Sequence, residues 1–335
     1  TNRQILLVEK PTGKLSPQNF KMAEAAIPEP KDGEVLVRVL YISLDAANRA
    51  WMQGATYRAA VEANTVMAGG AIAEVMKSNA PGFAPGDLVF GDTGWQNYAA
   101  VRAKALVKVP RIEPITHLLS VFGVAGLTAY FGLLNVGKPK AGETVVVSAA
   151  AGSVGSFVGQ IAKIKGCRVV GIAGGAAKCD WVVKELGFDA CIDYKAGPNA
   201  VKDGLKQHCP KGVDIYFDNV GGEILDDVLA RIGRGARIII CGAISQYNNT
   251  TPVQGPKNYL SLLVNRARME GMVVFDYADR YPQAVAELAG YLKDGRMKSK
   301  EDIVDGGVAA FPQTLNKLFA GENFGKLVLR VAADN

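Results

Sequence analysis

Cysteine is scarce in this sequence, and its spacing matches no disulfide scaffold. None precedes residue 167, and the five cysteines among the 335 residues are Cys167, Cys179, Cys191, Cys209 and Cys241. An odd number without a scaffold spacing is typical of reduced, mostly structural thiols. We therefore expect a cytoplasmic protein with free cysteines.

Blocks of like charge and long apolar runs are also few. The net charge is +6, with lysines spread along the chain, which favours an anionic cofactor over nucleic acid. Residues 1–10 alternate like a strand and show no signal peptide. The uncharged run at residues 118–136 contains Gly123, Gly126 and Gly132 and lacks flanking basic clusters. It predicts a buried connecting helix and no association with a membrane.

One stretch has the pattern of a strand, a turn, a helix and a second strand. Residues 144–148 form a β-branched run, and an A-x-G-x-x-G turn with Gly152 and Gly155 follows it. We expect Gly152 to let the backbone approach a pyrophosphate, Gly155 to let helix and strand pack closely, and the N–H groups of Ser153 and Val154 to face the anion. A small-residue turn in an ordinary helix-strand unit is the alternative, and the second strand at the required spacing favours a cofactor site.

No acidic residue follows the second strand of this unit. NAD-binding folds place an Asp or Glu there, about 20 residues after the turn, to hold the ribose 2′-hydroxyl, whereas this chain reads IAGGAAK. Gly174 leaves room for a 2′-phosphate, and Lys178 supplies a compensating charge. We predict NADP(H) as the cofactor. The alternative is that Lys178 is a solvated residue in the first turn of a helix.

The pattern of strands and helices changes near residue 122. Alternating runs cut by turn residues dominate residues 1–122, whereas strands and helices alternate through residues 123–302. The first pattern indicates a β-rich domain that residues 303–335 complete, and the second indicates an α/β domain with a doubly wound parallel sheet. One strand of the second domain is expected at residues 269–274.

Several motifs occur in the order and at the spacing of a known family. They are AAAGSVGSFVGQIAKIKGCRVVGIAG, FDNVGG, ICGAISQYN, MEGMVV and NFGKLVL. Over nearly its whole length the chain resembles the zinc-free medium-chain dehydrogenases/reductases, which include prostaglandin reductases, plant alkenal double-bond reductases and bacterial curcumin-reductase-like enzymes. The resemblance implies a Rossmann NADP-binding domain at residues 123–302, a GroES-like catalytic domain formed by residues 1–122 and 303–335, and a homodimer.

Zinc-dependent members of the wider superfamily hold their catalytic metal with cysteine and histidine in the amino-terminal domain. That region of this chain contains His117 and no cysteine, and His208 is the second of two histidines. A zinc site cannot be assembled from these residues, so we expect no metal. A carbonyl group must then be activated by hydrogen bonds, which fits double-bond reduction better than alcohol oxidation.

The resemblance extends the expected cofactor site beyond the glycine turn. The further cofactor residues that it implies are Gly174, Lys178, Tyr194, Asn219, Cys241, Gly242, Ala243, Ile244, Ser245, Tyr247, Met272, Val273, Val274 and Asn323. Structural alternatives stay open for some of them. Asn219 and Asn323 are also plausible turn residues, Tyr194 a surface aromatic, and the two valines ordinary core.

Tyr247 is the predicted catalytic residue. In related reductases the tyrosine of the GAISQYN segment lies near the nicotinamide ribose and the substrate carbonyl. Hydride delivery to the β-carbon of an enone moves negative charge onto the carbonyl oxygen, and a neutral phenol with a pKa of about 10 can donate a hydrogen bond to that oxygen at pH 7. A proton at the α-carbon completes the reduction. Alternatively, Tyr247 only packs on the cofactor.

The resemblance thus implies an NADPH-dependent reductase of the carbon-carbon double bond of α,β-unsaturated aldehydes and ketones. The alternatives are a quinone reductase with the same cofactor site, an eicosanoid-oxidising enzyme, and a non-enzymatic NADPH-binding protein. The substrate cannot be carried across, because the relatives have DPYMR where residues 45–49 read DAANR. Candidate pocket residues are Tyr57, Met67 and Trp95, with a core position as the alternative for each.

Overall fold

A computed structural model describes residues 1–332 of the chain. The strands, in chain order, are β1 (Asn2–Leu7), β2 (Phe20–Ala25), β3 (Glu34–Ser43), β4 (Thr65–Val66), β5 (Gly70–Ser78), β6 (Leu88–Asp92), β7 (Tyr98–Arg102), β8 (Val107–Lys108), β9 (Thr144–Ser148), β10 (Arg168–Ala173), β11 (Ala190–Asp193), β12 (Val213–Asp218), β13 (Ile232–Ile240), β14 (Arg268–Gly271), β15 (Glu301–Val304) and β16 (Lys326–Arg330). The α-helices are α1 (Ala47–Gln53), α2 (Val124–Phe131), α3 (Ser153–Ile164), α4 (Ala176–Lys184), α5 (Ala200–His208), α6 (Gly222–Leu229), α7 (Leu260–Asn265), α8 (Tyr281–Lys293) and α9 (Phe311–Ala320).

The packing of the chain divides it into two compact units. Unit 1 comprises Thr1–Leu119, Glu301–Asn323 and the stretch from Leu327 onward, and unit 2 comprises Ser120–Lys300 and Phe324–Lys326. The sequence placed its domain boundaries at 122/123 and 302/303, close to these divisions.

Unit 2 is built on a six-stranded sheet in the order β11-β10-β9-β12-β13-β14. Every pair in this sheet is parallel. The β-branched residues of β9 suit a strand that is covered on both faces, and Val145, Val146 and Val147 are completely buried. Counted from β9, the strand order is that of a doubly wound dinucleotide-binding sheet, 3-2-1-4-5-6. The predicted fold class is confirmed.

Helices cover both faces of this sheet because successive side chains of a strand point to opposite sides. Val145 and Val147 pack in a core with residues of α2, α3, α4 and α8. Val146 packs in a second core with residues of α5 and α6. The sheet is therefore a rigid platform from which the loops at its strand ends project.

Unit 1 is β-rich and contains two sheets. The smaller has the order β2-β1-β4, and the larger has the order β15-β16-β3-β5-β6-β8 with β7 also paired to β3. The carboxyl-terminal strand β16 runs antiparallel to β3, with Val328 opposite Ser43. The strand β16 therefore joins a sheet whose other strands come from residues 34–108 and from β15.

The uncharged run at residues 118–136 forms α2 and a following π-helical turn, Gly132–Gly137. Most of α2 is buried, and a Cβ at Gly126 would lie 1.9 Å from the backbone oxygen of Val121. Glycine therefore permits a close approach of chain segments at that point. Across residues 1–332, every helix is too short or too polar to cross a bilayer.

One predicted strand is longer than the observed one. The pattern predicted a strand at residues 269–274, but β14 ends at Gly271. The N–H of Met272 still donates to the carbonyl of Ile240 at 3.3 Å, and the chain then turns into a 3₁₀ helix at Val274–Arg280. Residues 272–274 therefore lie at the end of the strand rather than within it.

Candidate active site

Except for Asn323, the residues predicted to bind a dinucleotide follow the carboxyl ends of parallel strands in unit 2. The turn at residues 149–152 follows β9, Gly174 follows β10, Asn219 follows β12, and the loop at residues 241–247 follows β13. Parallel strands end on the same edge of a sheet. The strand order reverses between β9 and β12, and in doubly wound sheets this is the place where ligands bind.

The turn between β9 and α3 presents backbone amides at this edge. Ala149 has a φ of 48°, and the N–H of Gly152 donates to the carbonyl of Ala149 at 2.9 Å. Gly152 is the N-cap residue of α3 and makes no side-chain capping hydrogen bond. The first-turn amides of Ser153 and Val154 therefore form the positive end of the helix, and no side chain caps them. An anion site requires such an end.

The two glycines of the turn have different reasons to be glycine. A Cβ at Gly155 would lie 2.3 Å from the backbone oxygen of Ala149, which is far inside van der Waals contact. A Cβ at Gly152 would lie 3.1 Å from the same oxygen, a contact that small adjustments relieve. Gly155 is required for the packing of turn and helix, whereas Gly152 mainly keeps the approach to the turn clear.

A buried carboxylate, Asp218, joins the loops after β12 and β13. Its Oδ1 accepts hydrogen bonds from the amides of Val220 and Gly221 at 3.0 and 2.9 Å. Its backbone carbonyl accepts from the amides of Cys241 and Gly242 at 2.9 and 3.1 Å. Burial raises the pKa of Asp218, and the amide hydrogen bonds oppose that shift. Asp218 thus fixes the path of both loops.

Asn219 connects the same loops to β9. Its side-chain amide donates to the carbonyl of Ser148 at 2.8 Å, and its backbone N–H donates to the Ser148 hydroxyl at 2.9 Å. Its own carbonyl accepts from the N–H of Ile244 at 3.2 Å. The hydroxyl of Ser245 donates to the carbonyl of Val220 at 2.6 Å. Three strand ends are therefore held together at the edge where the cofactor site is predicted.

Tyr247 follows the short 3₁₀ helix Ile244–Gln246. Its hydroxyl oxygen accepts a hydrogen bond from the N–H of Ala243 at 3.2 Å. Burial raises the pKa of Tyr247 above its ordinary value, so the phenol is neutral at pH 7. Because Ala243 donates to the oxygen, the hydroxyl proton is available to a second acceptor.

Gly174 and Lys178 flank the start of α4 at the carboxyl end of β10. A Cβ at Gly174 would lie 2.8 Å from the hydroxyl oxygen of Tyr194. Lys178 has its ammonium group 5.6 Å from the centre of the Phe324 ring, a cation-π distance. The Tyr194 hydroxyl thus lies beside Gly174 at the end of β10, and Lys178 lies in the first turn of the helix that follows.

Sequence reasoning missed a second cation in this region. The Cε atom of Lys195 lies 2.9 Å from the position that a Cβ on Gly174 would occupy. The N–H groups of Lys195 and Gly175 both donate to Oδ1 of Asp193, at 2.9 and 2.8 Å, so that carboxylate is engaged by backbone amides. The one sequence signal for Lys195 is its position directly after Tyr194.

The remaining predicted cofactor residues differ in their exposure to solvent and in the unit to which they belong. Met272 and Val273 are partly exposed at the end of β14, whereas Val274 is buried in the core of unit 2 with α2 and α8. Asn323 is 5% exposed and belongs to unit 1. Cofactor contact stays a prediction for all four.

The candidate substrate residues differ sharply in exposure. Met67 and Trp95 are completely buried in the core of unit 1, where the Trp95 ring packs against Phe20 and Phe311. Their packing favours the core alternative over a pocket wall. Tyr57 is 54% exposed, and its contact with a substrate stays a prediction.

Potential metal ligands are dispersed in the described structure. Among residues 1–332, no three or more His, Cys, Asp or Glu side chains are grouped so that they could hold an ion. His117 lies 3.8 Å from a carboxylate oxygen of Glu301, and His208 ends α5. The two histidines thus lie in different units of the structure.

Two protein-family models match the chain. One, described as the N-terminal domain of oxidoreductase, matches residues 3–109, and the other, described as zinc-binding dehydrogenase, matches residues 153–290. The first match falls in unit 1 and the second in unit 2.

Similar proteins cover the full length of the chain. The NADPH-dependent curcumin reductase of Escherichia coli (strain K12) is 42% identical, covering 100% of this chain and 98% of its own. The 2-alkenal reductase (NADP(+)-dependent) of Nicotiana tabacum is 38% identical, with coverage of 100% and 98%. The crystal structure of CurA in complex with NADPH from Vibrio vulnificus has a TM-score of 0.93 and 40% identity, covering 99% of this chain and 100% of that one.

Proposed function

Because the chain belongs to the zinc-free medium-chain dehydrogenase/reductase family, we propose that it reduces the carbon-carbon double bond of α,β-unsaturated aldehydes and ketones with NADPH. Family membership confirms the resemblance seen in the sequence, and with it NADP-dependent oxidoreduction. The observation that carries the substrate class is the neutral hydroxyl of Tyr247, which is polarised by the Ala243 amide and stands at the carboxyl edge of the sheet.

The residues at this edge fit NADP(H). The glycine-capped start of α3 would hold the pyrophosphate through the amides of Ser153 and Val154. Lys178, Tyr194 and Lys195 would surround the 2′-phosphate. The two lysines would balance its negative charge, whereas the 2′-hydroxyl of NADH carries no charge to balance. When bound, NADPH supplies the hydride.

The chain's own contribution to the chemistry is a hydrogen-bond donor. As a substrate gains a hydride at its β-carbon, negative charge develops on its carbonyl oxygen. The Tyr247 hydroxyl donates to that oxygen, and its own oxygen stays hydrogen-bonded to the Ala243 amide, so the donor is oriented before the reaction begins. A proton at the α-carbon completes the reduction.

The proposed reaction is tested by NADPH oxidation with a panel of enals, enones and quinones, together with identification of the products. We expect consumption of NADPH with enals and enones and recovery of the saturated carbonyl compound. Turnover of quinones alone would make the protein a quinone reductase. Cofactor binding without turnover of any electrophile would make it a non-enzymatic NADPH-binding protein.

Replacing Lys178 with alanine is expected to raise the KM for NADPH by roughly 10-fold, the effect of losing one charge-assisted contact with a phosphate. The KM for NADH should hardly change, because NADH lacks that phosphate. Lys195→Ala should act in the same direction. Lys184→Ala is the matched control, because Lys184 lies in the last turn of the same helix and pairs with Asp180. Equal effects on both cofactors would contradict the assignment.

We also propose that two copies of the chain associate through one edge of unit 2. The edge strand β14 is exposed along its whole length, and on the neighbouring helix α7 Leu263 is 74% and Val264 66% exposed. An open strand edge beside exposed apolar side chains is a surface that another chain can cover, and a second copy would pair the same patch with itself.

The free cysteines further support a cytoplasmic location.

Leu263→Asp should therefore convert a dimer into a monomer, measured as a halved mass by light scattering after gel filtration. The reason is that a charge at the centre of the apolar patch would lose its water on association. Val107→Asp is the control, because Val107 is similarly exposed, at 62%, but belongs to unit 1. A monomeric wild type, or a dimer that both variants preserve, would argue against this surface.

A further inference from the structure

Two cysteines of unit 2 lie side by side where α4 meets β11. Cys179 is in the first turn of α4, and Cys191 is in β11. Helix α4 packs against β11, and both cysteine side chains pack against the same apolar core of unit 2. The Cys191 thiol lies within hydrogen-bonding reach of the Cys179 sulfur. Both side chains are partly exposed. The proposed reaction gives neither of them a role.

The other three cysteines have different surroundings. Burial raises the pKa of Cys167 and of Cys209 to about 11 and that of Cys241 to about 12, so all three are inert thiols at neutral pH. By contrast, the hydrogen bond from Cys191 lowers the pKa of Cys179, and the same bond, together with burial, raises the pKa of Cys191. Cys179 therefore loses its proton more readily than Cys191 does.

We propose that Cys179 and Cys191 are a redox-active dithiol that hydroperoxides oxidise to a disulfide. The Cys179 sulfur attacks the peroxide, so that an S–O bond forms, the O–O bond breaks, and an alcohol or water leaves. The Cys191 sulfur then attacks the Cys179 sulfenic acid. An S–S bond forms, the S–O bond breaks, and the hydroxyl leaves with the Cys191 proton as water. Two thiols lose two electrons in total, and the peroxide gains them.

The disulfide would act on the residues around the proposed 2′-phosphate. An S–S bond of about 2.05 Å replaces a non-bonded contact, so the first turn of α4 is drawn toward β11. Lys178 directly precedes Cys179, and Tyr194 and Lys195 follow soon after Cys191 along the chain. Oxidation therefore changes the distances among these three side chains, and NADPH binds less tightly. This consequence rests on the proposed function, whereas the disulfide itself does not.

Peptide mapping tests the disulfide directly. Trypsin cleaves after Lys178, Lys184 and Lys195, so that Cys179 is in CDWVVK and Cys191 in ELGFDACIDYK. After treatment with one equivalent of hydrogen peroxide and alkylation of free thiols, we expect these two peptides to be joined with the loss of two hydrogens, and dithiothreitol to separate them. Cys209→Ala should preserve the link. Cys191→Ser should abolish it and leave a Cys179 sulfenic acid that dimedone traps.

The proposal would be overturned if Cys179 of the wild-type protein became oxidised without forming this link. It would also be overturned if dimedone trapped Cys179 equally in the wild type and in Cys191→Ser. The effect on cofactor binding is measured separately. We expect the fully linked protein to show a KM for NADPH raised by about 3-fold or more, an unchanged KM for NADH, and recovery with dithiothreitol. A linked protein with an unchanged KM for NADPH would refute the effect on cofactor binding alone. Failure of the reduced protein to use NADPH would refute the proposed function instead.

Discussion

Tyr247→Phe is expected to slow hydride transfer by about 10-fold or more while leaving NADPH affinity nearly unchanged. The substitution removes only the hydroxyl group, and the loop keeps its hydrogen bonds to Asp218, Asn219 and Val220. Removal of one donor from a sequestered oxyanion site typically costs about 10²- to 10³-fold in turnover. We expect the smaller effect because a ribose hydroxyl or water can partly replace the phenol.

The measurement is single-turnover hydride transfer to a simple enone, with NADPH binding followed separately by fluorescence. Tyr98→Phe is the control, because Tyr98 is a strand residue of unit 1 outside the predicted cofactor site. A Tyr247→Phe enzyme with an unaltered transfer rate would remove Tyr247 from the catalytic role. Loss of NADPH binding would reduce it to a residue that packs against the cofactor.

Gly155→Ala is expected to destabilise unit 2 and to weaken NADPH binding together. The new Cβ would lie 2.3 Å from the backbone oxygen of Ala149, and a backbone atom cannot move aside as a side chain can. Overpacking of this kind costs about 1–3 kcal/mol. In a domain of this size each kcal/mol lowers Tm by roughly 2–4 °C. The displaced turn also moves the amides that would hold the pyrophosphate.

Gly152→Ala separates packing from binding. Its Cβ would lie 3.1 Å from the same oxygen and its backbone is extended, so Tm should change little. NADPH affinity should still fall, because a methyl group would stand at the proposed pyrophosphate site. Calorimetry and a binding titration on both variants test the pair. A Gly155→Ala protein with unaltered Tm, or a Gly152→Ala protein with full affinity, would contradict the roles assigned to the two glycines.

Local sequence signals were sufficient for the sheet of unit 2. The β-branched run at residues 144–148 predicted a buried parallel strand, and β9 occupies Thr144–Ser148. Such a strand is covered on both faces by helices, so its apolar run is visible in the sequence without knowledge of its partners. The alternation of strands and helices then predicted the doubly wound arrangement, and the order of the motifs predicted the family.

Features that depend on contacts between distant segments were not predictable in this way. Trp95 is an aromatic residue of the kind that lines pockets. Its ring packs against Phe20 and Phe311, which are distant from it in the sequence. Lys195 comes close to Gly174 through the pairing of β10 with β11. No periodicity within one segment carries this information.

The pairing of β16 with β3 sets an order of events during protein synthesis. The ribosome releases the chain from its amino terminus, so Ser43 is exposed long before its partner Val328 has been made. The six strands of unit 2, β9 to β14, emerge one after another and can pair as they appear. In the large sheet of unit 1, residues 41–43 of β3 lack this partner until β16 has been made. During that interval the nascent chain presents an unpaired edge that other chains can join and that chaperones can shield.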